Sequence, residues 1–366
     1  MEKEYQNGKL RERNARITTI NDYMRDRFGC KVVKLALDGG FTCPNRDGSK
    51  GTGGCIFCSE TGSGDMAASA CSAADIKAAM QSQVDLLSDK WQDAAYMAYF
   101  QSHTNTYAPI SELREKFEAA LSCELFVTTE QSGSEGNHME PENRSRNCKV
   151  VGLAIATRPD CLSKEVLDYL SELNNRTFLW VELGLQTIHE KSADRINRCY
   201  SLDVYDEAVR ELSARGIRTV THLIFGLPGE SKEDMLESVR YVCRPIHENW
   251  SGMGEQSDAA EIGNADDAGG SQRIFGIKMH LLNVIKGSRL AAEMPDYVPF
   301  ESMSEYIDLV TEALRLIPSD ITIHRMTGDC PRKLLIAPEW SYKKRSILNG
   351  ITARMTALNA HQGDKI

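Results

Sequence analysis

A chain of 366 residues with 41% hydrophobic and 26% charged residues has the composition of a globular protein, long enough for one α/β barrel or two modest cores. No apolar run of about 18 residues occurs, so no membrane-spanning helix is expected. The net charge of −9 argues against a general nucleic-acid binder, DNA included, because affinity for polyanions comes from clustered cations.

Met1 to Tyr5 lead into mixed charges with no apolar core of a secretory signal, and the expected compartment is the cytoplasm. Asp22 to Arg27 reads as helix. Lys31 to Leu37 is a β-branched apolar run ending at Asp38-Gly39-Gly40, a first strand. A Gly-rich loop from Phe41 to Met66 yields to a helix with Asp75 as the expected N-cap. The alternation then repeats: strands at Tyr96–Phe100, Val150–Ile155, Phe178–Leu183, Arg218–Phe225 and Ile274–His280. Helices open at Ser111, Ser163 and Ser231, and another runs through Arg195. Strands alternating with helices imply right-handed βαβ units and a parallel sheet.

Two polar, Gly/Ser-rich segments break the rhythm, Glu130 to Asn147 and Ser251 to Gln272. They offer too little apolar surface to offset their ordering entropy, and mobile surface insertions are expected there, at about 130–148 and 251–272. The second holds five acids, without which the net charge would be about −4. The expected organisation is an N-terminal helical extension (1–30), a partial (β/α)6 TIM-like barrel (31–285) and a C-terminal α/β extension (286–366).

Of eleven cysteines, only Cys43, Cys55 and Cys58 are clustered, as C-x11-C-x2-C in the loop after the first strand. Three thiolates hold three irons of a cubane and leave the fourth open for an exchangeable ligand. The glycines let the backbone fold tightly around such a centre. The alternative is a structural zinc site, for which no nearby His or Cys supplies the fourth ligand. Cys30 and Cys71 flank the loop without the spacing and read as structural thiols.

This loop, Tyr99 to Tyr107, Gly152 to Asp160, Val181-Glu182-Leu183-Gly184-Leu185-Gln186-Thr187, Gly226-Leu227-Pro228-Gly229-Glu230 and His324 to Asp329 together resemble a bacterial radical S-adenosylmethionine (SAM) family. Its broader group contains the elongator catalytic subunit and the oxygen-independent coproporphyrinogen oxidase. The likeness runs from about Arg16 to Leu348, and departs from the commonest spacing, C-x3-C-x2-C. It implies an α/β fold, the radical SAM part-barrel, and an enzyme with a [4Fe-4S] cluster on Cys43, Cys55 and Cys58. The open iron would be chelated by SAM, and one electron from a flavodoxin- or ferredoxin-type donor would yield a 5′-deoxyadenosyl radical that takes a substrate hydrogen.

Ligands in such barrels sit at the carboxyl ends of the strands. Gln101 and Ser102 occupy the place of the motif that binds the SAM amino group, without its usual glycines. Glu182 and Gln186 follow the fourth strand, and Gln186 matches a ribose contact. Arg198 matches a partner for the SAM carboxylate, with a helix-surface charge as the other reading. His222 stands where the resemblance calls for a ribose-binding Asp; a hydroxyl contact and a core histidine are both open, and Thr157 or Arg158 are alternatives. Gly226 and Gly229 fit close backbone approach to the adenine or a simple turn, and His280 and Leu282 fit adenine contact or core. His103, Tyr107 and the run from His324 to Arg332 are candidates for the substrate wall, with Cys330 read as a bystander.

The substrate is open. Residues 1–34 carry nine Lys/Arg against five Asp/Glu, and Arg332, Lys333, Lys343, Lys344 and Arg345 form a second basic cluster, which suits RNA if both meet on one face. The acidic balance and the absence of an appended RNA-binding module suit a small molecule. A non-catalytic zinc or redox-sensing module is the third reading.

Overall fold

The computed structural model describes residues 3–6, 9–12, 16–59, 62, 67–87, 90–91, 93–129, 144–246 and 273–366. At the N-terminus β1 (Lys3–Gln6) and β2 (Lys9–Glu12) pair antiparallel, so the extension expected to be helical begins as a hairpin. In α1 (Ile20–Phe28) the Thr19 side chain accepts from the Asp22 N–H, and Gly29 closes the helix at φ 68°, a left-handed cap that glycine adopts without a Cβ clash. There follow β3 (Val32–Asp38), β4 (Ala68–Ser69), α2 (Ala73–Leu87), β5 (Ala95–Phe100), α3 (Ile110–Leu121), β6 (Glu124–Thr129) and β7 (Arg144–Thr157). Next come α4 (Lys164–Asn174), β8 (Phe178–Gln186), α5 (Glu190–Arg195), α6 (Leu202–Ala214), β9 (Arg218–Phe225) and α7 (Lys232–Val242). The chain ends with β10 (Gly276–Leu281), β11 (Val284–Ile285), α8 (Arg289–Glu293), α9 (Met303–Leu316), β12 (Thr322–Arg325), β13 (Leu335–Ala337) and α10 (Lys344–Ala357).

Strands β3, β5, β7, β8, β9 and β10 are the six expected ones. They lie side by side in chain order, every neighbouring pair parallel, and form one curled half-barrel sheet. β12 extends that sheet beside β10, so the C-terminal extension shares the barrel's own sheet. Ser163 and Ser231 cap α4 and α7 as expected, the latter in a full capping box with Asp234. Asp75 is not the cap of α2: Ser72 is, exchanging bonds with Asp75 three residues on, which makes Asp75 the acidic arm of the box.

The segment expected as an insertion from Glu130 to Asn147 lies outside the described residues up to position 143. Its last four residues belong to β7, which starts at Arg144 and pairs with β6 from Thr129↔Arg144 to Glu124↔Lys149. Leu125, Val127 and Cys148 are buried along this hairpin. The polar run Arg144 to Asn147 has no apolar alternation, so nothing in its pattern signalled a strand. The expected insertion from Ser251 to Gln272 lies outside the described residues.

Alternate residues of each strand face opposite ways. Outward, Leu35, Leu37, Ala98, Phe100, Leu153, Ile155, Leu179, Val181, Ile277 and Met279 join the core under the helices. Inward, the barrel has two storeys. The lower is apolar, with Val32, Met97, Ala154, Trp180 and Val220 closed off by Ile20 and Met24 of α1. Tyr23 meets Phe275 edge-on at 5.0 Å and Phe28 meets Phe178 at 5.5 Å. The upper storey is polar and opens into a cavity.

Gly152 is where β7 and β8 approach too closely for any side chain: a Cβ there would stand 2.1 Å from the Phe178 carbonyl oxygen. Gly152→Ala must spread two central strands, at a cost of about 1–3 kcal/mol. The expected result is a thermal midpoint about 1–4 °C lower, measured by circular dichroism.

Candidate active site

The loop after β3 is held by its own backbone and by one apolar anchor. Arg46 N–H bonds Cys43 O at 2.8 Å, Gly54 N–H bonds Asn45 O at 2.8 Å and Cys58 N–H bonds Cys55 O at 3.0 Å. Gly53 and Gly54 take φ 76° and 72°, values that favour glycine. Ile56, between two cysteines, is buried among Ile196, Leu227, Val284 and Leu290. Its N–H and C=O bond Ile196 O and Leu290 N–H, at 3.1 and 2.8 Å. The loop thereby turns Cys43, Cys55 and Cys58, all half-buried free thiols, toward the mouth of the cavity.

Asn45, wholly buried, directs Nδ2 to Cys55 Sγ at 3.6 Å and to Asn197 O. Asn197 Nδ2 returns to Gly54 O at 2.8 Å. The adjacent Cys58 sulfur and then burial push the Cys55 thiol up, so it keeps its proton until a metal displaces it. Sulfurs sharing one tetrahedral zinc would lie about 3.8 Å apart. Among the described residues, the one set of three metal-type ligand atoms within 4.8 Å of each other is His189, Asp234 and Glu237, elsewhere on the surface. The three cysteine sulfurs do not close up into such a set, and an all-thiol donor set suits an iron–sulfur cluster.

Beyond the cysteines lies a network centred on Glu182, which is inaccessible to solvent. Its Oε2 accepts from Tyr99 OH at 2.7 Å and from Lys278 Nζ, and lies 2.9 Å from His222 Nε2; its Oε1 accepts from Trp180 Nε1 at 2.9 Å. Lys278 also donates to Tyr99 OH at 2.9 Å, and the His222 and His280 rings lie 5.0 Å apart. Burial alone would raise the Glu182 carboxyl, but Lys278 and His222 hold it well below the usual range. Burial lowers Lys278 to about 7 against the pull of Glu182.

Burial, then Lys278, holds His222 down at about 4; burial also keeps His280 and His324 well below their usual value. All three imidazoles are therefore neutral in the folded chain but titrate near 6.5 when unfolded. With folded values depressed, their contribution to stability is complete above about pH 6.5 and is lost as pH falls toward 4. His222 alone accounts for about 3 kcal/mol of that loss. The urea midpoint should drop between pH 6.5 and 5; a midpoint unchanged across that window would contradict the burial of neutral histidines.

The other expected residues fall into two groups. Gln101, Thr157, Glu182, Gln186, Arg198, His222 and His280 all line the cavity, with Gln101, Thr157, Gln186 and His280 at or near strand ends and Glu182 and His222 within their strands. Gln186 takes φ 72°, and a Cβ on Gly184 would meet its Nε2 at 2.7 Å, so Gly184 makes room for that side chain. Thr157 Oγ1 is 2.5 Å from Thr106 Oγ1. His103 lines the cavity, whereas Tyr107 is occupied with Ser49 at 2.9 Å. Gly328, Asp329 and Cys330 also line it, and Asp329 pairs with Lys344 at 2.6 Å.

Four expectations are revised by geometry. Arg198 is no surface charge and its donors are already engaged: Nη1 bonds Leu185 O and Thr187 O, Nε bonds Tyr200 O, and Nη2 pairs with Glu190 at 3.2 Å. It braces the turn after β8, leaving little for a cofactor carboxylate. Glu182 does not follow β8 but lies within it, saturated by internal donors. A Cβ on Gly226 would meet Phe300 and Pro299 at 2.7 Å, so its bareness serves packing against that segment. Ser102 is buried with its Oγ unpartnered, just outside the cavity lining. The sequence reading missed Lys278 and Tyr99; the signal available was parity, since Lys278 and His280 alternate onto one face of their strand.

In the second basic cluster, Lys344 is paired as above and Arg332 lies over the Tyr342 ring at 4.4 Å. Side chains of residues 1–15 lie outside the described residues, so a common basic face with them is not defined.

A half-barrel carrying three cysteines on its first loop, with a polar cavity beyond, defines a class, and the sequence comparisons agree. Residues 48–242 match the Radical SAM superfamily and residues 274–357 the Radical_SAM C-terminal domain; the chain belongs to the radical SAM superfamily. It is 39% identical over 349 residues to the uncharacterized protein YtqA of Bacillus subtilis, covering 95% of this chain and 92% of that one. It is 32% identical to protein YhcC of Escherichia coli K12 over 86% of this chain and 84% of that one. Among solved structures, the archaeal Methanocaldococcus infernus Elp3 with its N-terminus deleted superposes with a TM-score of 0.59 at 16% identity, covering 90% of this chain and 64% of that one, a likeness of fold.

Proposed function

We propose that the chain is a radical SAM enzyme that holds a [4Fe-4S] cluster on Cys43, Cys55 and Cys58 and binds SAM across the cavity mouth. The observation that carries this reading is three half-buried thiols, with no fourth thiolate in their motif, facing a chamber lined by strand ends. With SAM bound and one electron delivered by a flavodoxin- or ferredoxin-type donor, the cluster supplies reductive cleavage to a 5′-deoxyadenosyl radical that abstracts a substrate hydrogen. The chain's own residues bind and shield. Gln101, Gln186 and Thr157 offer hydroxyl and amide partners to the cofactor, and His222 offers a neutral imidazole. Asn45 steadies the Cys55 sulfur, as groups behind a metal ligand do. The Glu182 network keeps the floor of the chamber rigid and dry.

The test is anaerobic reconstitution with iron and sulfide, followed by SAM and dithionite. About four irons per chain, together with 5′-deoxyadenosine and methionine, are expected. One zinc per chain and no cleavage would overturn the reading.

A further inference from the structure

The charges on the floor of the chamber do not balance. Lys34, Lys278 and Arg325 bring three basic side chains there, and Glu182 is the carboxylate among the groups coupled to them. Glu182 is already committed to Lys278. Arg325, half-buried on β12 and lining the cavity, has no hydrogen-bond or ion-pair acceptor among the described residues. His280 Nε2 is buried without a partner in the same chamber. A guanidinium partly withdrawn from water without an acceptor is an incomplete arrangement, and an anion completes it.

We propose that Arg325, Lys278 and His280 form an anion-binding subsite that takes a carboxylate of the substrate. The planar guanidinium fork matches a carboxylate with two parallel hydrogen bonds. Lys278 supplies a nearby ammonium, and the Nε2 of His280, as the donor tautomer, a third N–H. Placement selects the substrate over SAM as the source. Arg325 stands in register with Lys278 across β10 and β12 and acts on Tyr99, His222, Lys278 and His280, whereas the cation acting on Cys55 is Arg158. A carboxylate chelating the cluster would lie at the cysteine end. That choice of source rests on the radical SAM reading of the chamber; the anion site itself does not.

The experiment uses the full chain without cluster, ¹⁵N-labelled at histidine, titrated with sodium acetate, sodium phosphate, L-methionine and sodium chloride at constant ionic strength. Acetate should move the His280 signal saturably, identified by its loss in His280→Gln, and chloride should not. Arg325→Gln should weaken acetate by about 10- to 100-fold, the worth of a charged hydrogen-bonded pair, and Arg325→Lys by less. Thermal unfolding of each variant checks that the fold is kept. Linear, non-saturating shifts, or equal affinity in Arg325→Gln, would sink the subsite. Tighter binding of phosphate than of acetate would overturn the carboxylate. Competition by L-methionine would assign the anion to SAM and overturn the substrate as its source. Cys55→Ala should bind acetate as wild type does, so failure of SAM cleavage and failure of the anion site are read separately.

Discussion

Cys55→Ala is expected to abolish iron–sulfur loading and to reduce 5′-deoxyadenosine formation to background. Two remaining thiolates cannot hold three irons of a cubane. The loop itself should survive, because its position depends on Ile56 in its apolar nest and on backbone bonds that do not involve sulfur. The variant should therefore unfold at nearly the temperature of the metal-free wild type. Cys71→Ala is the control: its thiol is exposed, 3.6 Å from Ser69 Oγ, and its loss should change neither iron nor cleavage. Iron analysis, visible absorbance and chromatography of the SAM products read all three. Full loading in Cys55→Ala would remove the cluster assignment.

Glu182→Ala should be among the most destabilising single changes available to this chain. It deprives Tyr99, Trp180, His222 and Lys278 of an acceptor at once and leaves Lys278, already lowered to about 7, buried without its counter-charge. Breaking one side of a buried pair costs about 3–5 kcal/mol. For a domain of this size that corresponds to a thermal midpoint about 4–7 °C lower. Lys278→Met in the Glu182→Ala background should restore part of the loss, since the stranded charge is removed with it. A double-mutant cycle on thermal midpoints measures the coupling. Strictly additive effects would show that the two groups do not depend on each other.

Much of the barrel was legible because its strands are buried on both faces and read as apolar runs, as parallel strands do. The cysteine loop was legible because its ligands are local in sequence. The rest fails for physical reasons. β12, only four residues long, has too little pattern to announce itself, yet it brings Arg325 to the chamber. The Glu182 network joins residues up to 179 positions apart, and no local period encodes such a meeting. Arg198 carried a plausible motif position, but its environment, acceptors drawn from Leu185, Thr187, Glu190 and Tyr200, becomes visible only once the chain is folded back upon it. The hairpin of β6 and β7 is missed because its β7 side begins with the polar run Arg144 to Asn147, which has no apolar alternation.

The apolar lower storey of the barrel has a bearing on traffic. With α1 wedged beneath Trp180 and Val220, the half-barrel is a cup and not a tube. The closed bottom leaves the upper, polar storey as the side from which the floor is reached, and a molecule seated beside the cysteines shares that one chamber with whatever binds deeper.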